Sequence, residues 1–349
     1  MPINQLVLDI RNKQRQKPKQ LDRPTAVWTG RDFNTTTGKG KDDIATLTII
    51  FTTGGCFWGR HGGCTMCGYV YDSADTSPTH EDLLAQFHDA LRKLPHEDCM
   101  VKIFTSGSFL DVNEIPKETR AAILSELEEL PNVKKVITET RPEFVNQRTI
   151  PECKAVLVNT DYEIAMGLET SNDEIRDKYI NKGFTFKQFT DAATLAKTYG
   201  VSTKAYLLLK PPYLSEPEAM ADMLTSIDDA APYAESISMN LCNVQKGTYL
   251  EWMWDRGDYR PPWLYTAVEI LKKAKVKHPD TILLSDPVGA GSKRGPHNCR
   301  TCSKDVASSM ERFSRTQDVS MLSVDCDCKK AWDEVMRLDE YGFGAPLTL

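Results

Sequence analysis

Two rhythms of apolar and polar positions run along this chain. From Thr46 onward, short runs rich in β-branched residues are each followed by a loop and a stretch whose apolar residues recur with a helical period. The first run, Thr46–Thr52, leads into a glycine-rich loop. The next helix, which Ser77 or Thr79 can cap, repeats Leu83, Leu84, Phe87, Ala90, Leu91 and Leu94 on one face. Further strands are predicted at Val101–Thr105, Lys135–Thr140, Glu163–Leu168, Thr203–Leu209 and Ser236–Leu241, with a helix near Pro116–Leu130 and helical stretches up to Tyr199. Ile282–Ser285 is a candidate for a last short strand.

Strands alternating with helices imply a parallel sheet with helical crossovers. Six such units predict an α/β fold, a partial (β/α)6 TIM-type barrel over residues 46–285. Residues 1–45 read as a basic N-terminal extension, and residues 286–349 as a small cysteine-rich C-terminal region entered through a Gly- and Pro-rich linker. Chemistry in such folds sits at the carboxyl ends of the strands. Polar residues stand at those ends in order: the first loop, Ser106-Gly107-Ser108, Glu139 with Arg141, Glu169, Lys210 and Asn243. Trp252, Trp254, Tyr259, Trp263 and Tyr265 follow at helical spacing and read as core rather than as base-stacking groups.

No apolar run approaches a membrane span and the opening residues lack a secretory segment, so a cytoplasmic protein with no membrane partner is expected. A formal charge of −6 argues against indiscriminate nucleic-acid binding. It leaves room for a local basic face from Arg11, Lys13, Arg15, Lys17, Lys19 and Arg23, or from Lys293, Arg294, His297, Arg300 and Lys304. Ten cysteines in such a chain point to metal rather than disulfides. Cys99, Cys153 and Cys242 are scattered and read as buried thiols.

The other seven fall in two groups. Cys56, Cys64 and Cys67 lie in one loop, Thr53–Tyr71, among glycines that permit a tight wrap. Three thiolates can hold an iron–sulfur cubane with one iron open to a small molecule; a closed zinc site with His61 as fourth ligand is the alternative. Cys299-x2-Cys302 and Cys326-x-Cys328 predict a structural zinc site, with a second cluster as the alternative and His297 as a possible substitute ligand.

Taken together, these residues resemble the radical S-adenosylmethionine (radical SAM) superfamily. More narrowly they resemble its branch related to the Elongator catalytic subunit, and within it the radical SAM subunits of archaeosine synthases. The resemblance rests on Cys56-x7-Cys64-x2-Cys67, Ser106–Asp111, Glu139-Thr140-Arg141-Pro142-Glu143, Gly167-Leu168-Glu169-Thr170, Ile180-Asn181-Lys182-Gly183 and Asn243–Thr248. Two features depart from the family pattern. The first two cysteines are more widely spaced than is common in the superfamily and differ in spacing from the Elongator relatives, and the customary Gly-Gly-Glu after the second strand stands here as Ser106-Gly107-Ser108.

The resemblance implies a 4Fe–4S cluster on Cys56, Cys64 and Cys67, with S-adenosylmethionine chelating the open iron. It places Met66 and Tyr69 near the adenine, and Ser106, Gly107 and Ser108 near the methionine ammonium. Glu139 falls at the ammonium or ribose, Arg141 beside it, Glu169 at the ribose hydroxyls and Lys182 at the methionine carboxylate. It also implies a tRNA substrate carrying a lysine-modified 7-deazaguanine at position 15, cleaved at a carbon–nitrogen bond to leave archaeosine. A lysine-transferring archaeosine synthase partner and an electron donor complete that picture. A radical SAM enzyme for a small metabolite, like the coproporphyrinogen oxidases, and a non-catalytic zinc-dependent RNA-binding module are the alternatives.

Overall fold

The structure, a computed structural model, describes residues 3–14, 18–36, 42–323 and 325–338. Eight strands form one sheet in sequential order: β1 (Ala26–Phe33), β2 (Asp43–Ile50), β3 (Cys99–Phe104), β4 (Val133–Thr140), β5 (Asp161–Glu169), β6 (Ser202–Leu209), β7 (Ser236–Leu241) and β8 (Ile282–Leu284). β1 runs antiparallel to β2, and every later pair is parallel. Helices between successive parallel strands cover one face, and the sheet curls into a half-barrel whose concave face is the inside. The six strands expected from the sequence are β2 to β7, and β8 is the short last one.

Side chains alternate between the two faces. Leu47, Ile49, Val101, Ile103, Val136, Ile164, Leu207 and Ile237 are all but inaccessible and join the core under the helices. Their neighbours face inward. Ile44, Met100, Ile137 and Ala165 form a small apolar layer there, with Tyr206 against it.

β1 went unrecognised within the N-terminal extension. An edge strand takes its hydrogen bonds from one neighbour and buries little, so Ala26–Phe33 carries no apolar signature; its middle four residues are exposed. The helix Ile3–Arg11 was missed too. It lays Val7, with Ile3, Leu6 and Ile10, against Leu208, Val244, Tyr249 and Leu250 at the carboxyl end of the sheet. Residues 15–17, and with them Arg15 and Lys17 of the first basic stretch, lie outside the described residues.

The C-terminal helix Ser303–Thr316 packs against both edge strands, β1 and β8. Ser314 Oγ accepts from Ser285 N at 2.8 Å and donates to Ser285 O at 2.9 Å. Gln317 brackets Leu283 in the same way, accepting from its N at 2.9 Å and donating to its O at 2.8 Å. The free edge of β8 is thus satisfied by side chains, which blunts it as a template for further pairing.

Charge is buried on the concave face. Glu163 of β5, wholly inaccessible, lies 2.7 Å from Lys135 Nζ of β4 and 3.2 Å from Lys204 Nζ of β6. Burial alone would raise its carboxyl, but the two ammonium groups outweigh it and hold the pKa at about 2. Glu163→Ala leaves two buried ammonium groups without a counter-charge, Lys135 keeping only its bonds to Thr35, and is expected to lower the unfolding free energy by about 3–5 kcal/mol in urea titrations. A loss under about 1 kcal/mol contradicts this role. Because the folded pKa lies below the ordinary 4.5, the carboxylate's contribution is complete above that pH and is lost as pH falls toward 2; Glu163→Gln flattens that stretch of the stability profile.

Candidate active site

The cysteine loop leaves the end of β2 and is clamped from three sides. Arg11, at the end of the N-terminal helix and buried, donates to Gly59 O at 2.8 Å and to Cys64 O and Cys67 O at 3.0 Å each. From the segment after β5, Asn181 Nδ2 donates to Gly63 O at 2.8 Å, Thr65 N donates to Ile180 O at 2.9 Å, and Trp58 Nε1 donates to Asn181 O at 2.7 Å. From the segment after β7, Gln245 Oε1 accepts from Gly68 N at 2.5 Å, and Gly247 O accepts from Tyr71 OH at 2.7 Å. Two of the sequence motifs, Ile180–Gly183 and Asn243–Thr248, therefore act on the loop's backbone. Gly183 is obligatory: its φ is +79°, and a Cβ there would lie 2.6 Å from the Trp58 ring.

The three thiols sense one another. Cys67 is pushed up to about 12, first by burial and then by the charge on Cys64, with Arg11 opposing and Cys56 adding to the rise. Mutually repelling thiolates on one loop suit a cationic metal centre, which relieves the repulsion and keeps the sulfurs deprotonated. His61 is exposed and hydrogen-bonded to Phe57 O at 2.9 Å, turned to its own short helix.

Beside the thiols stand four charged groups. Glu139 ends β4, and burial pushes its carboxyl up to about 7, with Lys182 opposing and Glu169 and Glu114 adding to the rise. Lys182 Nζ lies 2.6 Å from Glu169 Oε1. Burial works against that ammonium, but Glu169 and Cys64 outweigh it and raise its pKa. Glu169 sits at a register shift in β5 with φ +67°, a conformation that costs energy for a residue with a Cβ. Gly167 makes room for this pair, since a Cβ there would meet Lys182 Nζ at 2.8 Å and Glu169 Oε1 at 3.0 Å.

The fourth group is Glu114, which sequence reasoning missed. It is buried, accepts from Thr53 Oγ1 at 2.5 Å and from Ser108 N at 2.6 Å, and is close enough to Cys56 to raise that thiol. Burial raises its own carboxyl against those donors. The signal for it was the carboxylate missing from Ser106-Gly107-Ser108, with an acid a few residues downstream. A Cβ on Gly107 would come 2.7 Å from Cys56 Cα, so the turn presses its backbone directly onto the cysteine loop. Ser108 Oγ accepts from Arg141 N at 3.0 Å and ties this turn to the end of β4.

Arg141 commits its guanidinium to protein groups: Glu143 at 2.8 Å, Lys182 O at 2.9 Å, and the rings of Phe57, Trp58 and Phe184 at 5.3–5.7 Å. Met66 is half-buried against the cluster formed with the N-terminal helix. Tyr69 is largely exposed at the rim of the loop, and its phenol is raised by loss of solvent and by the charges of Cys67 and Glu139.

The C-terminal cysteines also converge. Cys299, Cys302, Cys326 and Cys328 bring their sulfurs within 4.8 Å of one another, with separations of 3.6, 3.8 and 3.5 Å across three of the pairs. A single tetrahedral ion with metal–sulfur bonds of about 2.3 Å requires an edge of about 3.8 Å, so the set fits one ion and is far too open for disulfides. Tyr265 OH lies 3.7 Å from both Cys302 Sγ and Cys328 Sγ, and Asn298 Nδ2 3.7 Å from Cys302 Sγ, groups that can orient the thiolates. His297 is hydrogen-bonded to Gly295 O at 2.7 Å, apart from this group.

Comparison with known proteins agrees with this geometry. The radical SAM superfamily profile matches residues 50–224, the span from the end of β2 past β6 that holds the loop and the charged groups. The chain belongs to the radical SAM superfamily. Archaeosine synthase subunit beta of Methanosarcina acetivorans is 53% identical over 349 residues, covering 99% of each chain. The protein of the same name from Thermococcus kodakarensis is 41% identical over 314 residues, 88% of this chain and 95% of that one. Among solved structures, methylornithine synthase (PylB) aligns with a TM-score of 0.52 at 13% identity, over 83% of this chain and 81% of that one, and shares its fold.

Membership in the radical SAM superfamily implies a 4Fe–4S cluster and S-adenosylmethionine, and the loop's thiols fit such a cluster. Among the described residues no helix is long and apolar enough to cross a membrane. Of the basic residues picked out in sequence, Arg11 is internal to the site. Arg294 bonds Val244 O at 3.0 Å and Glu251 at 2.6 Å, whereas Lys293, Arg300 and Lys304 are exposed.

Arg11→Ala is expected to cut iron incorporated on anaerobic reconstitution by more than half, because three loop carbonyls lose their donor; Arg11→Lys restores it only in part. Full loading of the alanine variant contradicts the clamp. Cys326→Ser is expected to lower the metal bound by the tail and to lower Tm by several degrees, read by elemental analysis and thermal unfolding.

Proposed function

We propose that this chain is the radical SAM subunit of an archaeosine synthase, cleaving a carbon–nitrogen bond of a lysine-modified 7-deazaguanine in tRNA. The observation that carries the reading is end-to-end similarity, 53% identity over 99% of both chains, to a protein named archaeosine synthase subunit beta. Similarity restricted to the barrel would speak only for the cofactor chemistry. Here it extends through the cysteine-rich tail.

In this reading Cys56, Cys64 and Cys67 would hold the cluster, with S-adenosylmethionine bound beside it. Together these groups would supply radical hydrogen-abstraction chemistry. The chain's own residues bind and orient. Glu114 takes over the role of the absent motif glutamate and, with the backbone of Ser106–Ser108, receives the methionine ammonium. Glu139 contacts ammonium or ribose, Glu169 the ribose hydroxyls, and Lys182 the methionine carboxylate, each a charge-assisted contact suited to a small ionic ligand. Met66 and Tyr69 border the adenine. Arg141 positions Lys182 through its carbonyl.

In this reading a hydrogen is removed from the lysine carbon next to the one bonded to nitrogen, the carbon–nitrogen bond breaks with the lysine fragment leaving as an alkene, and the amidine nitrogen left on the base takes up one electron from the donor and a proton. The target lies in the folded core of tRNA and must be made accessible, with phosphates held by exposed basic residues such as Lys293, Arg300 and Lys304 near the tail. Zinc on the four tail cysteines holds that surface rigid. The relatives' designation as beta subunits supports a second subunit, which in this reading transfers lysine to the base. A separate donor provides the electron.

The test is anaerobic turnover of tRNA bearing the lysine adduct, with nucleosides read by mass spectrometry. Archaeosine and 5′-deoxyadenosine should form together, and Cys64→Ala should reduce both to background. Production of 5′-deoxyadenosine with unchanged tRNA rejects the substrate, and a protein inert toward S-adenosylmethionine rejects the chemistry.

A further inference from the structure

The short helix Tyr249–Trp254, after β7, carries aromatic groups that the site described above leaves unused. Tyr249, Trp252 and Arg256 follow one another at i, i+3 and i+7 and so line one side of it. The rings of Tyr249 and Trp252 stack, with centroids 5.4 Å apart and planes 17° from parallel. The Arg256 guanidinium lies over the Trp252 ring, its Cζ 3.8 Å from the centroid, and its Nη1 donates to Trp252 O at 3.0 Å. Beyond Tyr249 stands Tyr213, from the segment after β6; the two hydroxyls share a hydrogen bond and the rings are 6.3 Å apart. Tyr179, after β5, is 5.5 Å from Tyr213. A line of four rings closed by a cation therefore runs across the segments that follow β5, β6 and β7.

Aromatics in this region read as core in the sequence, and Tyr259, Trp263 and Tyr265 are indeed buried. Trp252 is not: it is 37% exposed, and Tyr213 is 46% exposed. Tyr213 also holds a φ of +71°, a conformation that costs energy for a residue with a Cβ. A single exposed ring is ordinary. Two that belong to one stack, ending in an exposed guanidinium, make a platform.

The platform adjoins the cysteine loop. Thr65, the residue after Cys64, donates from Oγ1 to Tyr179 O at 2.8 Å, and its carbonyl accepts from Leu250 N at 3.2 Å. Lys246 borders the same loop, since a Cβ on Gly68 would lie 3.4 Å from its carbonyl oxygen. The end of the N-terminal helix meets this segment as well, because a Cβ on Gly247 would lie 2.9 Å from Gln14 Cγ. Lys13, Lys246 and Arg256 are exposed and have no ion-pair partner among the described residues. Asp255 and Asp258, exposed beside Arg256 in sequence, offset much of that charge, so flat faces rather than charge dominate the surface.

We propose that Tyr213, Trp252 and Arg256 form a stacking platform for an unpaired base of the tRNA, with Lys246 and Lys13 on adjoining phosphates. The inference rests on the function proposed above, in which the target base must leave the folded core of tRNA. Drawing one base out unstacks its neighbours, and unstacked RNA bases settle on aromatic rings and arginine planes. A protein partner would also use Trp, Tyr and Arg. RNA is favoured because the platform borders the loop at which the substrate base has to arrive, and because three cations beside it lack partners.

The experiment measures the affinity of the full chain for a fluorescein-labelled, unmodified tRNA transcript by anisotropy over a range of salt concentrations. Trp252→Ala and Arg256→Ala should each weaken binding roughly 10-fold, the scale of one lost base–aromatic stack, and Trp252→Phe should recover most of it. Trp252→Ala should leave the affinity for a blunt RNA duplex, which offers no free base, unchanged. Lys246→Ala should reduce the slope of log K against log salt by about 1. Unchanged tRNA affinity in Trp252→Ala and Arg256→Ala overturns the platform, including where these variants instead lose hold of a protein partner. An equal loss on transcript and duplex in Trp252→Ala overturns it too. Tight tRNA binding with an unconverted lysine adduct rejects the functional reading and leaves the platform standing. An unaltered chain that binds no tRNA overturns the platform, and the turnover assay alone then decides the reading. Arg256 is an exposed side chain on a turn, so its variant decides the matter even if Trp252→Ala does not fold.

Discussion

The site depends on one buried guanidinium. Arg11 reaches from the N-terminal helix into the cysteine loop and binds three of its carbonyls, at Gly59, Cys64 and Cys67. A loop that displays three thiolates around an open centre cannot fold onto a hydrophobic core of its own, and its thiols repel one another once charged. Its shape must therefore be imposed by donors from elsewhere in the chain. Arg11 supplies the central set, the segments after β5 and β7 supply the flanks, and the apolar packing of Val7 on Leu208, Tyr249 and Leu250 anchors the helix that carries Arg11.

The parallel sheet determines what meets the loop. Because β2 to β7 run in sequential order, the segment after each strand emerges on the same rim, and residues distant in sequence, Glu114, Glu139, Glu169, Lys182 and Gln245, converge on one loop. The same curl leaves a concave face whose side chains point inward. Here that face is only partly apolar: Glu163 of β5 is paired with lysines on both neighbouring strands, and Lys102 of β3 reaches across β2 to Asp32 of β1. The tail takes part in the same core: Val306, Met310 and Phe313 are buried in it, and their helix seals both edge strands. The four tail cysteines flank the helix that forms this wall of the barrel.

Period and strand-end position made much of this legible in the sequence. Buried parallel strands announce themselves as β-branched runs, and β2 to β7 lie where those runs predict. The two cysteine groups were equally plain, since ligand spacing is a local property. What escaped was non-local. β1 carries no apolar pattern because its partner supplies its bonds. Arg11 read as one cation in a basic stretch, because nothing nearby in sequence marks a guanidinium that will be enclosed by a loop some fifty residues later. Glu114 lay outside the Ser106–Ser108 motif that it bonds through Ser108 N. Asp32 and Lys102 lie on β1 and β3, and only the register of the sheet brings them together. Arg141, expected beside the cofactor, is held by Glu143 and a ring of aromatics, a setting that its motif could not reveal.

The account turns on the first cysteine loop holding a cluster with one iron open to S-adenosylmethionine. Electron paramagnetic resonance of the reduced, anaerobically reconstituted protein, recorded with and without S-adenosylmethionine, tests this most directly. The account predicts the signal of a single reduced 4Fe–4S cluster, lost in Cys56→Ala, whose g-values shift when S-adenosylmethionine is added. A protein with zinc in that loop and no reducible cluster, or a cluster whose signal is indifferent to S-adenosylmethionine, would contradict it.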